Sequence, residues 1–158
     1  MTAAINKTGD KARAEMTRQI TSEFSIKARD VRAQLILRRA SVKGAGFVAE
    51  LEAFGRRGGK RSMNVIHFRA RQTAQGVTVQ IKKTGGRKLL KHAFIGNQGR
   101  TVFMRAGKQR LPIQAVETID VPQMFNTRRI NTAVLAKIKR ELPVEFERAL
   151  SMLARRGR

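Results

Sequence analysis

Cysteine is absent from the 158 residues, and so are tryptophan and tyrosine. The first absence excludes disulfides and thiol chemistry and gives no sign of an oxidising compartment. The second leaves eight Phe as the whole aromatic complement, so the core must be aliphatic and Phe-based. Apolar runs are short, and none approaches the roughly 18 residues that span a bilayer. Met1 to Asp10 lacks the apolar stretch of a secretory leader. The expectation is a soluble protein made in the cytoplasm, with no membrane partner. Negative charge is the most telling shortage. Asp and Glu number 11 against 34 Lys and Arg, for a net charge of +23, and the sequence pI is about 11.9.

That shortage is uneven, because the chain carries no carboxylate at all from Ala53 to Val116. Within the stretch fall Arg56, Arg57, Lys60, Arg61, Arg69, Arg71, Lys82, Lys83, Arg87, Lys88, Lys91, Arg100, Arg105, Lys108 and Arg110. Ion pairing inside the stretch cannot neutralise them. Their partners must lie elsewhere in the chain, on another subunit, or on a phosphate backbone. All but Lys91 and Arg100 are taken as candidate contacts to DNA or to a protein partner.

The length suits one domain, and the hydrophobic fraction of 41% is ordinary for a folded chain. Residues 1–42 read as a helical region. From about Thr2 to Glu23, Ile5, Ala12, Met16 and Ile20 recur at helical spacings. Gly9 weakens the first turns, so this end should order against a neighbour. Ser25 is the expected N-cap of a second helix with Ala28, Val31 and Leu35 on one stripe. Leu35-Ile36-Leu37 then passes into extended structure.

Residues 44–120 read as a basic β region. Phe47, Ala49, Leu51 and Ala53 alternate with polar or smaller neighbours, as in a half-buried strand. Gly55 to Arg61 reads as a flexible basic loop, and Val65 to Arg69 as extended chain. Ala74-Gln75-Gly76 is a turn before the alternating Val77, Val79 and Ile81, which predicts a β-hairpin. Lys88 to Gly99 is ambiguous. Thr101 to Arg105 is a strand, Ala106-Gly107-Lys108 a turn, and Leu111-Pro112-Ile113 an edge, since proline cannot donate to a ladder. Val121 to Phe125 reads as a connector with an apolar anchor. Residues 127–154 form a C-terminal helical region. Thr127 would cap it, Ile130, Val134, Leu135, Ile138 and Leu142 would share a face, and Pro143 should break or kink it at Leu142. Phe146, Leu150 and Leu153 continue the period. Helices at both ends of central antiparallel sheets and hairpins make an α+β fold.

An ordered series of short elements resembles one family. Phe68-Arg69-Ala70-Arg71-Gln72-Thr73 is followed by Val77-Thr78-Val79, Arg87-Lys88, Ala93-Phe94-Ile95 and Val102-Phe103-Met104-Arg105. Gly107-Lys108-Gln109-Arg110-Leu111-Pro112-Ile113, Val121-Pro122-Gln123-Met124-Phe125 and the basic amphipathic C-terminal helix come next. In that order they resemble the prophage minor tail protein Z family, from about Ser25 to Leu153. Gln114 to Asp120 departs from the pattern, standing where a Gly-Pro turn is expected. The resemblance implies a structural, non-enzymatic component at the head-proximal end of a long tail, a tail-completion or neck protein assembled in the host cytoplasm. It implies a homo-oligomeric ring of six subunits matching the tail symmetry. Tail terminator, tail tube or neck connector proteins would be its partners, with packaged double-stranded DNA in the channel. It brings no catalytic residue and no cofactor.

The residues themselves weigh against several other chemistries. A phosphate-binding loop needs GxxxxGK followed by Ser or Thr. In Gly55 to Arg61 the glycines stand one residue too close and Arg61 replaces the hydroxyl. A solvated loop and a loop contacting DNA or a partner ring both remain open there. His67 and His92 have no Cys and no carboxylate near them in sequence, and a zinc site or a triad needs such company. Arg69 and Arg71 alternate with Phe68 and Ala70, so they should share a sheet face turned to a neighbouring subunit or to DNA. Phe94, Phe103, Met124 and Phe125 suit either core or a docking patch. The rival function is a general basic nucleic-acid-binding protein of nucleoid-associated or ribosomal type, which the pI favours but no reading element supports. A nuclease would need clustered carboxylates for Mg²⁺, and the middle of the chain has none.

Overall fold

The structure is a computed structural model and describes residues 1–43, 46–55, 62–107 and 109–156. Two long helices frame it. The first, α1 (Thr2–Glu23), buries Ala4, Thr8, Ala12, Met16 and Ile20, a four-residue spacing that keeps one stripe turned inward. Ala4 takes the inward place expected of Ile5, which is only half-buried. Gly9 does meet a neighbour, and it belongs to the same chain. A Cβ there would stand 2.9 Å from Leu37 Cδ1. Nearby, Asn6 Oδ1 accepts from the Ala40 N–H at 2.7 Å.

Leu37 and Ala40 lie in β1 (Leu35–Lys43), paired antiparallel with β2 (Gly46–Ala53). Leu51 and Ala53 pack at the core, whereas Phe47 and Val48 are both exposed. The expected alternation therefore shows only in the half of the hairpin that touches α1. Between α1 and β1 stands α2 (Ala28–Arg32). Its N-cap is Lys27 and not Ser25, and Leu35 is a strand residue rather than part of its stripe. Ser25 is instead drawn into the core connection, where its N–H donates to the Ile81 carbonyl at 2.8 Å.

The central strands form small antiparallel sheets. Val65 to His67, expected as extended chain, is a single 3₁₀ turn. The cause is Asn64, at the end of β3 (Met63–Asn64). Its Oδ1 accepts from Ile66 N–H at 3.0 Å and Val102 N–H at 2.9 Å, while Nδ2 donates to the Val102 carbonyl. A short amide that engages the backbone two residues ahead turns the chain. Arg69 follows at φ 50.

The expected hairpin is present. In it β4 (Arg71–Thr73) pairs β5 (Gly76–Val79), which pairs β6 (Lys88–Lys91). Gly76 is obligatory at φ 145, because a Cβ would stand 2.1 Å from the Leu90 carbonyl oxygen. A second three-stranded sheet joins β7 (Ala93–Gly96), β8 (Thr101–Arg105) and β9 (Ile113–Ala115). Its edge strand β9 begins just after Pro112, as a residue without an N–H requires. β10 (Glu117–Thr118) returns to pair β3.

Val121 to Phe125, expected as a connector, is the short helix α3, capped by Asp120 Oδ1 on the Gln123 N–H. Its Val121 and Met124 are fully buried. The last helix, α4 (Arg128–Arg156), packs along α1. Thr127 stands immediately before it, its carbonyl accepting from Asn131 N–H at 2.9 Å. The helix does not end at Leu142. It continues through Pro143 to Arg156, although an interior proline costs about 3 kcal/mol. Ties on both sides of the proline hold it. Lys11 Nζ of α1 donates to Glu141 at 2.7 Å and to Glu145 at 2.6 Å.

Two apolar clusters result. One gathers α1, α3 and α4 around Met16, Ile20, Phe68, Met124 and Ile130. The other, Val65, Val77, Val79, Ala93 and Val102, lies between the small sheets. The fold is α+β. Among the described residues no helix is long and apolar enough to cross a membrane.

Candidate functional site

Ion pairing divides the chain sharply. Among the described residues, no Lys or Arg between Ala53 and Val116 has a carboxylate within 4.0 Å. The acids pair instead with cations of the helices and of β1. Glu141 is pulled down to about 2 by hydrogen bonds from Lys11 and then Lys137. Lys11 also holds the buried Glu145 below the usual carboxylate range, and its own ammonium is raised in return. Glu15 is lowered to about 2 by Arg18 beside it. Of the three places sequence left open for partners of the central cations, the rest of this chain is thus excluded among the described residues.

The central cations are nevertheless not scattered evenly. A cleft of about 860 Å³ opens between the α1–α2 connection and the turn after β3. Arg69 and Lys83 line it, together with Lys27, Arg29 and Arg100. Its one carboxylate, Asp30, is engaged by His67 Nδ1 at 3.1 Å and Arg29 Nε at 3.7 Å. Arg87 stands behind it as a brace. Its Nη2 donates to the Arg69 carbonyl at 2.7 Å and to Thr78. Sequence reasoning missed Lys27 and Arg29, which lie outside the acid-free stretch. It counted Arg100 among the surplus cations but not among the contacts.

The other candidates fall apart spatially. Arg71 lies on β4, and Arg69 precedes that strand in a left-handed conformation, so the two do not share one strand face. Lys82 sits beside Phe24 in an isolated bridge, and Lys88 is exposed on β6. Arg105 lies on β8, its guanidinium 5.4 Å from the Phe94 ring centroid and donating to the Arg110 carbonyl at 3.1 Å. Arg56, Arg57, Lys60, Arg61 and Lys108 lie outside the described residues. The aromatic group also splits. Met124 is core and Phe125 packs against it, while Phe94 and Phe103 stack on one another with centroids 5.9 Å apart. Phe68 is fully buried and cannot stack on a base.

A second surface lies on α4. Leu135, Leu142, Phe146, Leu150 and Leu153 span about 80° of the helix at 100° per residue, with Lys139 in the same arc. That arc is turned about 120° away from the face that meets α1. Ile130, Val134 and Glu145 are the buried side; Leu135, Leu142, Leu150 and Leu153 are exposed. The stripe continues into an apolar hollow where the helix ends meet, lined by Met1, Ala4, Ala149, Met152 and Leu153. A helix with two apolar faces has one more than its own fold uses.

Among the described residues no three His, Asp or Glu side chains gather into a cation-binding group. Compared with known proteins, the sequence matches the model of one family, described as prophage minor tail protein Z (GPZ), over residues 1–156. No curated protein and no solved structure matches it.

Proposed function

Because the chain belongs to the prophage minor tail protein Z family and is therefore a structural protein of a phage tail and a virion component, we propose that its copies assemble with one another at the head-proximal end of the tail and mediate joining to the head. The observation that carries this reading is the unpartnered apolar stripe of α4. A monomer gains nothing from leaving Leu135, Leu142, Leu150 and Leu153 in water. A neighbouring copy that covers them removes that cost. A head-to-tail contact of this kind closes into a ring when the rotation between copies divides the circle, and six copies would match the tail.

The basic middle supplies the second half of the mechanism. Cations without intramolecular carboxylates suit acidic neighbours in the neck, or the genome end held in the channel. Contacts to phosphates would carry no sequence information. The test is a phage deleted for this gene. Filled heads and finished tails should accumulate unjoined, and wild-type virions should contain the polypeptide by peptide mass spectrometry. Virions lacking it would end the proposal.

The same unpaired cations favour a second reading, a general nucleic-acid binder. Free protein would then bind random duplex DNA tightly, with a steep linear fall of log affinity against log salt. A tail joint binds DNA weakly as a monomer and co-purifies with tails.

A further inference from the structure

We infer that the cleft between the α1–α2 connection and the turn after β3 is a phosphate-binding site. This gives a location to a contact that the joining role leaves open, and it stands on the geometry of the cleft alone.

Lys27, Arg29, Arg69, Lys83 and Arg100 converge on one concavity of about 860 Å³. Against these five stands Asp30, and its oxygens already face His67 and Arg29. Among the described residues, Lys27, Arg69, Lys83 and Arg100 have no carboxylate in reach. Like charges gathered in a concave wall focus a positive field that an anion relieves.

Ser25 lines the same cleft, is only 3% exposed, and its hydroxyl has no partner. Buried hydroxyls are ordinarily satisfied, and an exception calls for a ligand or a solvent molecule to complete it. A hydroxyl at the base of a cleft rimmed with cations is a donor set for a tetrahedral oxyanion. Arginine adds planar forks suited to phosphate.

Arg69 is held at φ 50, a conformation that non-glycine residues adopt when their surroundings impose it. The Arg69 carbonyl accepts from Arg87 Nη2 at 2.7 Å. One cation of the acid-free stretch thereby fixes the backbone of another at the rim. The volume exceeds one phosphate ion, so the site accepts either free phosphate or a phosphate within a phosphodiester chain.

The experiment uses the purified full-length chain with two probes: inorganic phosphate, read as a rise in melting temperature over chloride at equal ionic strength, and a labelled duplex oligonucleotide, read by anisotropy. Three variants are compared, Ser25→Ala, Arg69→Ala with Lys83→Ala, and Lys88→Ala with Lys91→Ala. The last pair removes equal charge from exposed strand β6, outside the cleft, and so sets Lys88, a contact candidate on sequence alone, against the cleft residues. The cleft pair should abolish the phosphate-induced rise, while the β6 pair retains it. If the natural source is a phosphodiester, the cleft pair should also lower the salt slope for duplex by about 2, and the β6 pair should barely change it. Phosphate binding that depends on the cleft without such a duplex effect supports the site with free phosphate as its ligand.

Ser25→Ala provides a readout independent of charge. Deleting an unpartnered hydroxyl should leave the free protein as stable or more so, yet diminish its response to phosphate. Equal losses from the cleft and β6 pairs would overturn the proposal, since a diffuse field then explains everything. So would a Ser25→Ala protein that responds to phosphate like the native chain, or a native chain that responds to neither probe. None of these measurements depends on particle assembly, so a phage that joins normally without this protein would refute the joining role and leave the site untouched.

Discussion

Replacing Leu150 and Leu153 by Ser tests the assembling face of α4 directly. Their exposures are 51% and 61%. Burying a leucine side chain completely is worth about 1.5–3 kcal/mol, so the part of each still in water comes to about 1 kcal/mol. Both together give about 2 kcal/mol for each contact, if a neighbouring copy covers them. At about 1.4 kcal/mol per tenfold, the double variant should dissociate about 30 times more readily. Sedimentation velocity over a range of concentrations measures this. Copies that each carry +23 repel one another, and salt shortens the range of that repulsion from about 10 Å at 0.1 M to about 3 Å at 1 M. Self-association of the native chain should therefore tighten with salt, the reverse of DNA binding. The variant monomer should melt close to the native monomer, because more than half of each leucine is already in water there. Unchanged association in the variant would refute the argument. A monomer melting much lower would refute it too, since the leucines would then belong to the core.

Two further outcomes follow from the interior. Glu141 titrates near 2 and Glu145 below its usual range because Lys11 bonds both. Their folded values are depressed from an ordinary value near 4.5, so the stabilisation is complete above 4.5 and is lost as pH falls toward 2. The stability gap between native protein and Lys11→Met, followed by thermal unfolding, should close over that window; a gap independent of pH would contradict the pairing. Asn64→Ala should destabilise by about 2–4 kcal/mol, because the Val102 N–H loses its partner in the core and the Ile66 N–H loses the bond that turns the chain. The Val102 carbonyl keeps its bond from the Val116 N–H at 2.9 Å, which bounds the loss. Chemical denaturation measures it, and a change under about 0.5 kcal/mol would remove Asn64 as the organiser of the turn.

What the sequence determined by itself was periodicity and the absence of acids. The recurrence of Ile5, Ala12, Met16 and Ile20 at helical spacings pointed to an amphipathic helix, and Gly76 before alternating valines to a hairpin, since both are local geometry. The acid-free stretch already meant that its cations lacked neighbours of opposite sign along the chain. Tertiary structure decided the rest. A proline ends most helices, but α4 passes through Pro143 because Lys11, more than a hundred residues away, ties Glu141 and Glu145 to α1. Val65 to His67 has the composition of a strand and turns because Asn64, anchored on Val102, accepts from the Ile66 N–H. The cleft itself is assembled from Lys27, Arg29, Arg69, Lys83 and Arg100, residues that no spacing links. Only packing of the α1–α2 connection against the turns after β3, β5 and β7 brings them together, around a Ser25 hydroxyl without a partner.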